Sequence, residues 1–238
     1  MHQEAIYKSK EANAFFERNE SEILLQENGL REPKQIIYET IKEQIPDNVE
    51  EFKVLEIGCF IGDLLNKLHA EHKCQITGIE PSSLACEYAK NKFGLDIINE
   101  TFNNSIYFGL TKQTRHQFDL IIADDVLSWM SREVILPCMA SLDWLLKPGG
   151  YIYTRDFNPS YDFAYMNHHQ PGEDIYNFKV KGGHKKFLLA TGKYVIISEY
   201  IRNDSSHQKV STKREDSMIW SDCMLMKVEN TMQPKLSM

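Results

Sequence analysis

Short apolar runs alternate with longer stretches of helical period through the middle of this chain, and that rhythm predicts its core. Lys53–Ile57, Gln75–Ile79, Leu95–Ile98, Phe118–Ala123 and Tyr151–Tyr153 have the length and apolar continuity of strands buried on both faces. Gly62–Glu71, Ser82–Phe93 and Ser131–Lys147 between them read as helices. Such alternation implies parallel strands joined by right-handed crossovers, with helices on both faces of the sheet.

Upstream, residues 1–52 read as charged helices. Phe15, Phe16, Ile23, Leu24 and Leu25 share one stretch, and Ile36, Ile37 and Ile41 follow a break at Asn28-Gly29. The second helix opens near Pro33 and closes before Pro46. This segment cannot bury its apolar stripe alone, so it is expected to cap the domain formed by 53–238. After Asp156 the rhythm breaks into a polar, aromatic insert, 157–183, placed as a lid over an acceptor site. A helix over His184–Ala190 follows. Tyr194–Ile201 and Met218–Val228, joined by the polar turn Asn203–Asp216, form an antiparallel pair at the sheet edge.

Composition narrows the class. With 42% hydrophobic and 26% charged residues in 238, the chain is globular and neither disordered nor fibrous. Its formal charge of −7 argues against a general nucleic-acid or membrane-surface binder. That charge is uneven: residues 1–52 hold six basic and twelve acidic side chains, whereas 178–216 hold nine basic and four acidic. Five scattered cysteines without a C-x-x-C pair suit reduced thiols, and no signal peptide or spanning run is evident, so a soluble, cytoplasmic protein is expected.

In an open α/β sheet, ligands sit beyond the carboxyl ends of the strands. The first exit, Glu56-Ile57-Gly58-Cys59-Phe60-Ile61-Gly62, turns a strand into a helix on two glycines four apart. The second, Glu80-Pro81-Ser82, puts a carboxylate where it can accept both hydroxyls of a ribose. A nicotinamide dinucleotide calls for G-x-G-x-x-G, and Phe60 stands at the second glycine, so a pyrophosphate is poorly served. A cofactor with a ribose and no phosphate, such as S-adenosylmethionine, fits. A non-glycine residue such as Phe60 fits there if its φ stays negative.

Here the sequence resembles the class I, seven-stranded S-adenosylmethionine-dependent methyltransferases. Glu56–Gly62 is similar to their first motif and Glu80 to their ribose-binding acid. Thr101-Phe102 stand where the family contacts adenine. Phe118–Leu127 is similar to the fourth motif, and Leu145-Leu146-Lys147-Pro148-Gly149-Gly150 to the turn into the fifth strand. The resemblance implies a Rossmann-like, mostly parallel seven-stranded sheet with an antiparallel last strand. It also implies S-adenosylmethionine held by Glu56, Gly58, Cys59, Phe60, Gly62, Glu80, Pro81, Ser82, Thr101, Phe102 and Asp124.

Methyl transfer to a hydroxyl requires alignment and removal of a proton. Candidate groups are His168 or His169 of the insert, with Asp125 or Asp156 leaving the fourth and fifth strands. No spacing forces these groups to converge on a metal, so none is expected. Tyr161, Phe163, Tyr165 and Tyr176 can wall an acceptor, and Gly182-Gly183 with Lys185 and Lys186 can act as an anion cradle or a solvated hinge. The segment with Asn167-His168-His169 and Gly182-Gly183-His184-Lys185 resembles, less specifically, methyltransferases of bacterial capsule and surface-polysaccharide clusters. That implies O-methylation of a small molecule: a sugar, a nucleotide-sugar or a phosphorylated precursor. An RNA or protein methyltransferase using basic 178–216, or a non-catalytic partner subunit, is the alternative.

Overall fold

The computed structural model describes residues 2–25, 29–30, 32–46, 51–102, 116–203 and 219–228. The turn at 204–216, Met218 and Asn28 lie outside them. Eight strands form: β1 (Lys53–Ile57), β2 (Gln75–Ile79), β3 (Phe118–Asp124), β4 (Leu146–Phe157), β5 (Phe163–Met166), β6 (Tyr176–Lys179), β7 (Tyr194–Asn203) and β8 (Ile219–Lys227). Six make the main sheet in the order β2-β1-β3-β4-β8-β7. β2, β1, β3 and β4 are parallel, and β8 runs antiparallel between β4 and β7. Chain order reverses between β1 and β3, where a ligand crevice belongs.

Helices cover both faces. Ile37 and Ile41 of α3 (Glu32–Ile41) and Leu64, Leu65 and Leu68 of α4 (Asp63–His72) pack with Val54, Leu120 and Ile122 on one face. Cys138 and Leu142 of α6 (Ile135–Leu145) and Leu188 of α7 (Lys185–Leu189) pack with Leu55, Ile121 and Ala123 on the other. α5 (Ser83–Phe93) opens on a Ser82 side chain that accepts from the Ala85 N–H and closes on left-handed Gly94.

Three expectations change. Leu95–Ile98 forms no strand; Ile98 makes a single parallel bridge to Ile79, marking the seventh place in the sheet. The helix expected over Ser131–Lys147 contracts to Ile135–Leu145. β4 starts at Leu146 and is far longer than Tyr151–Tyr153, with its register shifted around Pro148-Gly149-Gly150, because proline cannot donate to a ladder. The insert contains a hairpin, β5 paired with β6.

The N-terminal segment runs through α1 (His2–Ile6), a π-helical turn (Tyr7–Glu11) and α2 (Ala12–Leu25). It crosses the carboxyl ends of the strands. Gln3 donates to the carbonyls of Trp129 and Tyr176, at 2.8 and 2.9 Å, on one rim. Asn13 Oδ1 accepts from Ser82 Oγ at 2.9 Å, and Lys8 reaches Glu100 at 2.7 Å, on the other.

Candidate functional site

The β1–α4 loop is shaped by backbone conformations that few side chains tolerate. Gly58 has φ +66°, and a Cβ there would lie 3.1 Å from Val126 Cγ2. Gly62 caps α4 in the left-handed region. Phe60 corrects an expectation: its φ is +53°, so the glycine-like conformation is kept without the glycine. Its compensation is aromatic packing, with the Phe15 and Phe16 rings of α2 at 5.3 and 5.9 Å.

That conformation aims the Phe60 N–H at Glu80 Oε2, 2.9 Å away, while the Ser82 N–H meets Oε1 at 2.8 Å. Glu80 is thus oriented by two amides at the end of β2, each oxygen retaining a lone pair. Burial pushes its pKa up to about 7 against the pull of those N–H donors. Gly78, two residues earlier in β2, has no room for a side chain, since a Cβ would meet Cys59 Sγ at 2.7 Å.

A cleft opens over these ends. Gly58, Phe60, Glu80, Pro81, Thr101, Phe102 and Asp124, all expected to hold cofactor, line it, as does Asp125. Glu56, Cys59, Gly62 and Ser82 lie behind that surface. Glu56 is fully buried and bonded to Lys34 of α3, which also reaches Asp124 at 3.0 Å; Asp124 in turn holds Arg155 Nε at 2.6 Å. A buried ammonium therefore ties the first motif to the fourth. Cys59 is buried and Ser82 serves as the α5 cap.

The four candidate proton acceptors separate. Asp125 projects from a left-handed backbone, φ +52°, its Oδ1 shut from solvent. Burial lifts its pKa to about 7, with Lys179 and Arg155 pulling the other way. His169, exposed like His168, lines the cleft; partial desolvation and the adjoining His168 ring, 3.9 Å away, hold its pKa below the usual value. His168 is exposed and outside the lining. Asp156 faces away: its carboxylate accepts from the Phe157 and His184 backbone N–H groups at 2.8 and 3.1 Å and bonds the His184 ring. Among the described residues, no three His, Cys, Asp or Glu side chains gather as a metal site.

The Gly182-Gly183 loop also turns inward. Lys185 donates to the Gly182 carbonyl and pairs with Glu199 at 3.0 Å, and Lys186 faces Asp162 at 3.7 Å. Lys193 and Arg202 likewise pair with Asp143 and Asp222.

Several lining residues were not anticipated: Glu4, Tyr7, Glu11 and Phe15 of the N-terminal segment, Lys34, Glu100, Trp129 and Met130. The first four stand three and four apart, one face of a helix, and that spacing was the available signal. Carboxylates dominate the lining: Glu4, Glu11, Glu80, Glu100, Asp124 and Asp125, against Lys34 and Arg155 among the described residues.

The donor set suits an adenosyl cofactor. A carboxylate fixed by two amides can accept ribose hydroxyls, a side-chain-free Gly58 permits close approach, and Phe102 offers a flat apolar wall.

Comparisons point the same way. A family model described as a methyltransferase domain matches residues 55–152. The ubiquinone biosynthesis O-methyltransferase of Coxiella burnetii is 29% identical over 133 residues, 55% of this chain and 54% of that protein. O-methyltransferase 3 of Dictyostelium discoideum is 30% identical over 152 residues, 59% of this chain and 33% of that protein. The chain spans about half the length of the first of these curated relatives and a third of the second. The Burkholderia thailandensis 1,6-didemethyltoxoflavin-N1-methyltransferase, solved with 1,6-didemethyltoxoflavin and S-adenosylhomocysteine, superposes with TM-score 0.62 and 13% identity over 94% of this chain and 88% of that one. At that identity the likeness establishes the fold. No helix among the described residues is long and apolar enough to cross a membrane.

Proposed function

We propose that this chain, whose core is a class I S-adenosylmethionine-dependent methyltransferase domain, transfers a methyl group to a hydroxyl of a small acceptor. The observation that carries the reading is Glu80, oriented by the Phe60 and Ser82 amides at a strand end beside the Gly58 turn. O-methyltransferases among the relatives support oxygen as the methylated atom and do not extend to the sugar or capsule precursor that the sequence suggested.

When bound, S-adenosylmethionine supplies a methyl group already activated on a sulfonium. The protein's work is then to hold, align and deprotonate. Glu80 accepts the ribose hydroxyls, Gly58 admits the cofactor's backbone-side edge, and Thr101-Phe102 flank the base. Asp125 lines the cleft at the end of β3, where its ionised carboxylate receives the acceptor's hydroxyl proton through the oxygen other than the enclosed Oδ1. Tyr7 and Trp129, rings 6.1 Å apart, line the same cleft with apolar surface. Lys185, Lys186, Lys193 and Arg202 each face a carboxylate, so part of the basic count of 178–216 is paired within the fold.

Calorimetric titration with S-adenosylhomocysteine tests the reading. Binding by the wild type and its loss in Glu80→Ala are expected; absence of binding, or undiminished binding by the variant, overturns it.

A further inference from the structure

The main sheet ends on an apolar strand. β7 closes the order β2-β1-β3-β4-β8-β7, so its outer row of backbone N–H and C=O groups faces no strand among the described residues. Natural edges are commonly blunted by lysine, proline or free charge. Tyr194–Asn203 holds neither lysine nor proline. Its two charges are engaged within the chain, Glu199 by Lys185 at 3.0 Å and Arg202 by Asp222 at 2.9 Å. A bulge sits at Ile197, but Ser198–Asn203 beyond it keep an unbroken register with β8.

Val195, Ile196, Ile197, Tyr200 and Ile201 along this edge are between 42% and 67% exposed. They occupy both faces of the sheet, because residues opposite one another in an antiparallel ladder share a face. Ile196 lies with Leu225 and Ile201 with Ser221, on the side of α7, whereas Val195 lies with Met226 and Tyr200 with Asp222 on the other. A partner packed on one face would leave the other set in water. A strand added along the edge flanks both.

We propose that β7 pairs antiparallel with β7 of a second copy of this chain, joining two six-stranded sheets edge to edge across a two-fold axis. A strand meets its own copy this way without further complementarity, since each copy donates and accepts the same backbone bonds. The five side chains expose roughly 500 Å² per copy, and with the backbone edge a symmetric pair reaches the ~1,000 Å² that a specific interface requires. With Glu199 and Arg202 paired internally, the described edge offers no free charge to select an anionic or cationic partner. β8 and β4 separate β7 from β3, so the pairing leaves the cleft open and stands apart from the methyltransferase reading.

Sedimentation velocity of the full chain, from about 1 to about 100 µM, is expected to show a species of twice the chain mass. Ile201→Lys brings a new ammonium from each copy to the junction and is expected to weaken association at least about tenfold. Leu136→Lys, at an exposed apolar position on α6, should leave association unchanged. Hydrogen exchange of the wild type locates the contact without any variant: the outward amides of 194–203 should be protected in the dimer. Far-UV circular dichroism matched to wild type shows that Ile201→Lys folds; if it does not, the exchange result decides. A monomer at every concentration, a dimer whose 194–203 amides exchange freely, or undiminished association of folded Ile201→Lys overturns the proposal.

Discussion

Lys34 Nζ lies 3.0 Å from Asp124 Oδ2, so a helix of the N-terminal segment is pinned to the carboxyl end of β3 beneath the cleft. The same ammonium bonds Glu56, whose side chain is wholly buried. Burial alone would discharge Lys34, but Glu56 and Asp124 raise its pKa and keep it charged. Lys34→Met strands two carboxylates and is expected to cost about 3–5 kcal/mol in denaturant unfolding, because breaking a buried pair leaves an uncompensated charge. Lys34→Met with Glu56→Gln should lose less than the single variant. An equal or larger loss would mean that packing, not charge, governs the site.

Glu80 makes cofactor affinity pH-dependent. Its pKa of about 7 exceeds the ordinary 4.5, so through this group the folded apo chain is favoured below pH 4.5 and that contribution has gone once pH passes 7. Cofactor binding runs the other way, since the ionised carboxylate accepts ribose hydroxyls. S-adenosylhomocysteine should bind roughly tenfold more weakly at pH 6 than at pH 8, with proton release measurable by calorimetry in buffers of different ionisation enthalpy. Glu80→Gln should flatten the profile.

Phe60 combines an unfavourable backbone with favourable packing. Phe60→Gly relieves a left-handed residue, worth about 1–2 kcal/mol. It also deletes a buried ring packed on Phe15 and Phe16, a loss of about 3–5 kcal/mol by analogy with large-to-small core changes. The variant is therefore expected to be less stable by about 2 kcal/mol in thermal or urea unfolding. Stabilisation would show that the ring contributes little.

The frame of the site was legible because its signals are local. Apolar runs located β1, β2 and β3, and the 24-residue separation of Glu56 from Glu80 placed two strand exits side by side. Leu95–Ile98 failed as a strand because one bridge satisfies it at the edge. The N-terminal side of the cleft was not legible. Glu4, Tyr7 and Glu11 stand in a segment that reads only as charged helix, and contacts such as Gln3 to Tyr176, 173 residues away, turn that face inward. Lys34 carries no signal of its own in a charged helical stretch. Phe60 misled because backbone strain is set by the Glu80 acceptor and by α2, neither adjacent in sequence.

Asn13 fastens the N-terminal segment to the cofactor rim, its Oδ1 accepting from Ser82 Oγ at 2.9 Å and from the Leu84 N–H at 3.3 Å. Asn13→Leu keeps the volume and removes these bonds. S-adenosylhomocysteine should dissociate several-fold faster from the variant, followed by stopped-flow fluorescence of Trp129 in the cleft wall. An unchanged off-rate would show that the segment does not limit exchange.

In the proposed reaction Asp125 takes the proton, and the two insert histidines are its rivals. General-base catalysis is worth about 10²–10⁴ in rate, so Asp125→Asn should lower methyl transfer to the hydroxyl acceptor by at least about a hundredfold. His168→Ala, exposed and outside the cleft lining, should stay near wild-type rate. The pH dependence supplies a second discriminator. With burial holding the Asp125 carboxyl at about 7, kcat/KM should rise with pH through that value as the base ionises. His169, its pKa lowered by partial desolvation and by His168, would give an acid limb below the ordinary histidine value of 6.5. A limb near 7 that vanishes in Asp125→Asn and survives in His169→Ala assigns the proton to Asp125; the reverse pattern returns it to the insert.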